Sequence, residues 1–153
     1  MKALTVTRFV GVIVLALGIF VPTAAWSKDP VNSTLFGKTA IHGYDPVAYF
    51  TDHKPVPGKE EFQLDWMGAK WRFASAEHRA AFEKSPEAYA PQYGGYCAYG
   101  VSQQHVVDID PNAWSIVDGK LYLNYDTDVQ KKWRMDVPGN ITKADKNWPD
   151  VLK

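Results

Sequence analysis

A single cysteine, Cys97, stands among 153 residues, so no disulfide can close within the chain. The thiol is left to be buried, bound to a ligand, reactive, or paired with another molecule. No charge of either sign dominates: 17 basic residues balance 17 acidic ones. No basic stripe is present, which argues against nucleic acid and anionic lipid as partners. No apolar run reaches the ~20 residues that a bilayer-spanning helix needs. The longest, from Phe9 to Phe20, stops well short of that. Motifs for hydrolases, phosphate loops, dinucleotide binding and a His-Glu-x-x-His helix are missing, and the reading leans against an enzyme. No internal repeat, low-complexity tract or interdomain linker is visible.

What is present begins with an export signature. Lys2 and Arg8 precede the short apolar run, and small residues follow at Thr23, Ala24, Ala25 and Ser27. The pattern predicts a signal peptide over residues 1–27, cut after Ala25 or, preferably, after Ser27, and a periplasmic or secreted protein with no membrane contact after removal. No cysteine near the cut invites lipid modification. Losing Lys2 and Arg8 leaves the mature chain with a net charge of about −2. Residues 28–40 read as a flexible leader. Residues 41–153 read as one domain, large enough for a hydrophobic core without staples.

Turn residues then punctuate short elements. Tyr44 to Phe50 is apolar and interrupted by Pro46, and Pro55, Pro57 and Gly58 mark a loop. Phe62, Leu64 and Trp66 alternate with polar residues, Met67-Gly68 can turn, and Trp71 and Phe73 resume the alternation, which predicts a hairpin with one aromatic face buried against Phe82. Ser75 suits an N-cap, with Glu77 in the first turn and Lys84 in the last, so a helix is expected over Ala76 to Lys84. Pro86 to Tyr89 starts another short turn or helix that could continue to Tyr93, before Gly94-Gly95. A second hairpin is expected from Ala113–Val117, Asp118-Gly119 and Leu121–Tyr125. Thr127 to Arg134 reads as a helix with Val129 and Trp133 on one face, and the tail as a loop with a packed Trp148. The order hairpin, helix, hairpin, helix predicts a small α+β domain.

Asp45-Pro46-Val47-Ala48, followed by Gly68, Phe73-Ala74-Ser75 and then Phe82, Pro86 and Tyr89, resembles the YHS domain, a small module found in bacterial proteins and beside heavy-metal transporters. The resemblance covers about Ile41 to Tyr89. Trp114-Ser115-Ile116 and Leu121 to Tyr125 resemble a secreted subgroup of single-domain members. The metal-associated members resemble zinc-binding treble-clef modules, with one cysteine after Asp-Pro-Val and two more in a Cys-Ser-x-x-Cys pattern. Those positions here are Ala48, Ala74 and His78. The resemblance therefore implies a treble-clef-like core and an association with metals, without the usual cysteine zinc site.

A different site would have to be assembled from His42, His78, Cys97 and His105, with Tyr44, Asp45 and Glu77 as oxygen donors. His78 is the foremost candidate because N3 of its helix, at the positive end of the dipole, favours a neutral ring able to coordinate. Imidazole and thiolate together suit copper or zinc, and the metal-binding reading names His78, Cys97 and His42. Shared ligation requires roughly 3.2 to 4 Å between a His78 ring nitrogen and the Cys97 sulfur. His53 reads as solvated, and His105 is undecided. Three alternatives stand beside metal. The Gly94 to Val101 loop and an aromatic surface could form a non-catalytic small-ligand or protein-interaction module. Haem is open, with His, Tyr or Cys as axial ligand. A thiol-dependent enzyme at Cys97 would need a depressed thiol pKa and an orienting base. Tryptophans 66, 71, 114, 133 and 148 read mainly as core.

Overall fold

In the computed structural model, which describes residues 27–153, local turn chemistry sets up two hairpins that the aromatic residues then fold onto helices. A 3-10 turn at Ile41–Gly43 and α1 (Ala48–Thr51) lead into β1 (Lys59–Trp66), β2 (Ala69–Phe73), α2 (Ala76–Lys84) and α3 (Pro86–Tyr89). A second 3-10 turn at Gln92–Gly95 and α4 (Ala98–Ser102) lead into β3 (Asp110–Val117), β4 (Lys120–Asn124), α5 (Thr127–Arg134) and α6 (Val137–Asn147), closed by a 3-10 turn at Asp150–Leu152. The class is α+β with two separate two-stranded antiparallel sheets.

Met67 and Gly68 take φ of 50° and 77°, and Asp118 and Gly119 take 49° and 73°. Two successive positive φ values make the tight turn whose twist matches the flanking strands. In the first hairpin Leu64 faces Trp71 and Trp66 faces Ala69. Trp71, Phe73 and Phe82 are completely or almost completely buried, whereas Phe62, Leu64 and Trp66 are half-buried and pack against them. Phe82 of α2 lies 5.2 Å from Trp71, 5.2 Å from Phe73 and 5.5 Å edge-on from Trp66 between ring centroids. The hairpin register and its packing on Phe82 are as the alternation implied. Ser75 caps α2 by accepting from the His78 N–H.

The second half repeats the first, which the sequence alone does not reveal. The pairs Lys59 with Phe73, Gln63 with Arg72 and Trp66 with Ala69 recur as Asp110 with Asn124, Trp114 with Leu123 and Val117 with Lys120, every residue 51 positions further on and with the same irregularity after the first pair. Asp126 caps α5 by accepting from the Val129 N–H, as Ser75 accepts from His78. Trp133 packs on Tyr122 at 5.3 Å and 34°, as Phe82 packs on Trp71 at 5.2 Å and 30°. Helices α1 and α4 precede the two hairpins, each entered by a 3-10 turn with positive φ at His42 or Tyr93.

Three expectations change. Residues 28–40 are docked and not a free leader: Val31 and Ala40 are buried, Asn32 N–H donates to Gly94 O, and Thr39 pairs with Lys70 of β2. Burial of Val31 together with backbone pairing supplies what the polar composition hid. The segment Ala98–Ser102 is a helix because the Cys97 side chain accepts from the Gly100 N–H at its start. The tail is helical over Val137–Asn147, where Asp136 caps Gly139, Pro138 occupies the first turn, and Ala144 and Asn140 turn inward. A Pro-Gly pair next to a cap reads as a loop in sequence but fits an opening turn. Trp148 packs on Tyr93 and Tyr96, as a packed tail tryptophan should. The expected signal peptide, residues 1–27, lies outside the described residues except for its last, Ser27, which donates to Leu152 O. Among the described residues no helix is long and apolar enough to cross a membrane.

Candidate functional site

The Asp45-Pro46 turn places one carboxylate where four hydrogen bonds converge. Asp45 is fully buried. Its Oδ1 accepts from the N–H groups of Val47 and Ala48 at 2.8 and 3.3 Å, and its Oδ2 accepts from the Ala74 N–H at 2.8 Å. The fourth partner is His78, whose Nδ1 lies 2.6 Å from Oδ2. A buried carboxylate is tolerable only when paired and fully hydrogen-bonded in this way. The Nε2 edge of His78 meets Thr51 Oγ1 at 3.2 Å.

His42 stands elsewhere, with Nε2 2.8 Å from Asp108 Oδ1. That oxygen also accepts from Asn32 Nδ2 at 2.9 Å and the Ile109 N–H at 2.8 Å. Burial opposes ionisation of Asp108, but these bonds outweigh it and hold the carboxyl below its ordinary range.

Cys97 lies in a third setting. Its sulfur accepts from the Gly100 N–H at 3.3 Å and donates toward Asn124 Oδ1 at 3.8 Å. Burial raises the thiol pKa, and the Gly100, Tyr125 and Tyr99 backbone amides only partly offset it. The neutral thiol has no histidine beside it within hydrogen-bond reach. Both features run against the depressed pKa and orienting base that a nucleophile requires.

His78, Cys97 and His42, expected to share an ion, thus occupy three separate sets of hydrogen bonds. Among the described residues no three His, Cys, Asp or Glu side chains come close enough to hold a metal ion. The donor set does not fit the tetrahedral or trigonal N and S ligation of zinc or copper. His105 is exposed and lines the cavity above Cys97, and His53 is exposed.

Cys97 forms the floor of that cavity, of about 280 Å³, walled by Tyr99, Gly100, Val107, Tyr125 and Val129. The exposed part of its wall is apolar. Asn124, fully buried against the sulfur, keeps a side-chain Nδ2 with no partner among the described residues. A depression of about 450 Å³ between β3 and α5 is larger. There the Gln130 and Arg134 side chains donate to Trp114 O and Ser115 Oγ. An aromatic cleft of about 400 Å³ lies between Trp66, Trp71, Tyr93 and Trp148, rimmed by Glu87 and Lys120.

Residues 47–93 match the model of the YHS domain. The chain contains a YHS domain. The match begins just after Asp45 and takes in α1, the first hairpin, α2 and α3, so His78 lies inside the YHS segment and Cys97 beyond it. No curated protein and no solved structure matches the chain. Sequence reasoning named Asp45 only as a spare oxygen donor and missed its contact with His78. The signal was the Asp-Pro turn together with a histidine in the first turn of the helix capped by Ser75. Tyr125 and Val129, which wall the Cys97 cavity, carried no signal as ligand-facing residues.

Proposed function

We propose that this YHS-domain protein is an exported, non-catalytic binding module that takes a small apolar ligand in the cavity above Cys97. The observation that carries the reading is that cavity's apolar wall over a buried, neutral thiol. Clefts of roughly this size with apolar linings hold small ring-sized molecules. The hydrogen-bond assignments support it too. His78 and His42 sit against different carboxylates, Asp45 and Asp108, and among the described residues they do not gather with Cys97 into a set of three metal-ligand side chains.

The test is a titration of the full chain with toluene, followed by NMR of the Val107 and Val129 methyl groups. Saturable shifts confined to these methyls, lost in Val129→Trp, support the reading. Shifts that appear at Trp148 instead would move the site to the aromatic cleft. No saturable shift anywhere would end it. Export is tested separately by the intact mass of protein recovered from outside the cytoplasm, which should begin at Trp26 or Lys28.

A further inference from the structure

The structural repeat places the Cys97 cavity on a known spot of the first half. Counting Gly43-Tyr44 against Gly95-Tyr96, Asp45 corresponds to Cys97, Ala48 to Gly100 and Thr51 to Gln103, all 52 positions apart. From the hairpins onward the offset is 51, so Ala74 corresponds to Tyr125 and His78 to Val129. The hydrogen bonds follow the same correspondence. Asp45 N–H donates to Val56 O, and Cys97 N–H donates to Val107 O. Asp45 accepts from the amides of Ala48 and Ala74; the Cys97 sulfur faces the amides of Gly100 and Tyr125. In the first half the space bounded by residues 45, 51 and 74 is filled by the imidazole of His78. In the second half the corresponding residues, Cys97, Gln103 and Tyr125, line an open cavity with Val129 at its side.

We infer that the cavity above Cys97 is the second copy of the Asp45–His78 site with its ring removed, and that it accepts a small neutral azole. The inference rests on the binding reading above and names its ligand class. Replacing imidazole by isopropyl at position 129 vacates a planar, ring-sized volume. Replacing carboxylate by thiol removes the charge that would demand a cation. A neutral azole presents one nitrogen edge to the sulfur and the other to Gln103, as His78 faces Asp45 and Thr51. A free azole and a peptide histidine share this chemistry.

The experiment titrates the full chain with imidazole, blocked histidine amide, cyclopentanol and toluene, at a pH above the ordinary imidazole value so that the ring is neutral. Methyl shifts of Val107 and Val129 are the readout. Imidazole should bind about tenfold tighter than cyclopentanol, and blocked histidine matching imidazole would assign the site to a peptide side chain. Cyclopentanol or toluene binding as well as imidazole would overturn the azole class and leave the apolar-pocket reading standing. Failure of all four would overturn both. Two variants separate the outcomes further. The pair Cys97→Asp with Val129→His should refill the space from within and abolish imidazole shifts. Should that pair fail to fold, Val129→Phe fills the same volume without charge and must abolish them too. Conversely, His78→Gly should create a second imidazole site, read as an imidazole-dependent rise in melting temperature absent from wild type. No such rise, with a folded variant, would refute the equivalence of the two sites.

Discussion

Asp45 Oδ2 and His78 Nδ1 lie 2.6 Å apart, and this contact joins the turn before α1 to the first turn of α2 across 33 residues. The same carboxylate also accepts from the amides of Val47, Ala48 and Ala74.

Asp45→Ala strips four donors of their acceptor in a fully buried position and is expected to destabilise the fold by about 3 to 5 kcal/mol. Asp45→Asn keeps two acceptor lone pairs and should cost less. Urea melts of both variants check this, and a midpoint for Asp45→Ala equal to wild type would show the clasp to be dispensable.

Trp71→Ala and Trp133→Ala should each cost about 3 to 5 kcal/mol, because each indole is about 1% exposed and stacked on a counterpart ring. The repeat makes the comparison informative. If one half folds without the other, the two losses will appear as separate transitions in a denaturant melt; a single shared transition is expected, since Tyr49 of α1 packs on Trp114 of β3 and donates to Pro111 O, and Asn32 ties the first half to Gly94 and Gly95 of the second.

The Cys97 thiol is pushed up by burial, so the native state holds its proton after the unfolded thiol has lost it. Stability should therefore fall as pH rises through the ordinary thiol value of about 8.5. Cys97→Ser should flatten that part of the alkaline limb. Alkylation of native protein should be slow at neutral pH and accelerate only under denaturant. Rapid neutral-pH alkylation at the rate of a free thiol would contradict the buried setting.

For Asp108 the sign reverses. Its carboxyl is held below the ordinary value in the native state, so its contribution is present above the unfolded value of about 3.9 and is lost as pH falls through the native one. Asp108→Asn should lower the melting temperature near neutrality and make no difference at pH well below the native value. An equal drop at both pH values would assign the effect to packing instead of charge. The group is largely exposed, so the neutral-pH effect should be modest.

Gly94 carries φ of 60°, and a Cβ there would meet Pro30 O at 2.0 Å. Gly94→Ala should loosen residues 30–32 from the core, measured as faster proteolysis in that stretch with the hairpin amides still protected from exchange. Unchanged proteolysis would show that the docked segment tolerates a backbone shift.

Much of this protein was determined locally. Alternation at Phe62, Leu64 and Trp66, the Met67-Gly68 and Asp118-Gly119 turns, and the caps at Ser75 and Asp126 act within a few residues, so period and turn chemistry suffice to place both hairpins and the helices after them. The bound state of residues 28–40, the helix after Asp136 and the repeat itself were decided by tertiary structure. Burial of Val31 depends on Gly94 and Lys70, which are far along the chain. The repeat resides in register, caps and stacking geometry that different side chains satisfy: Trp71 on Phe82 in one half, Tyr122 on Trp133 in the other. The candidate site belongs to the same class. His78 and Cys97 are conspicuous in sequence, yet their roles depend on what the fold sets opposite them: a buried carboxylate for one, and for the other an apolar wall and a neutral amide. Hydrogen bonds spanning 27 to 33 residues close those settings, and only the packed chain brings their ends together.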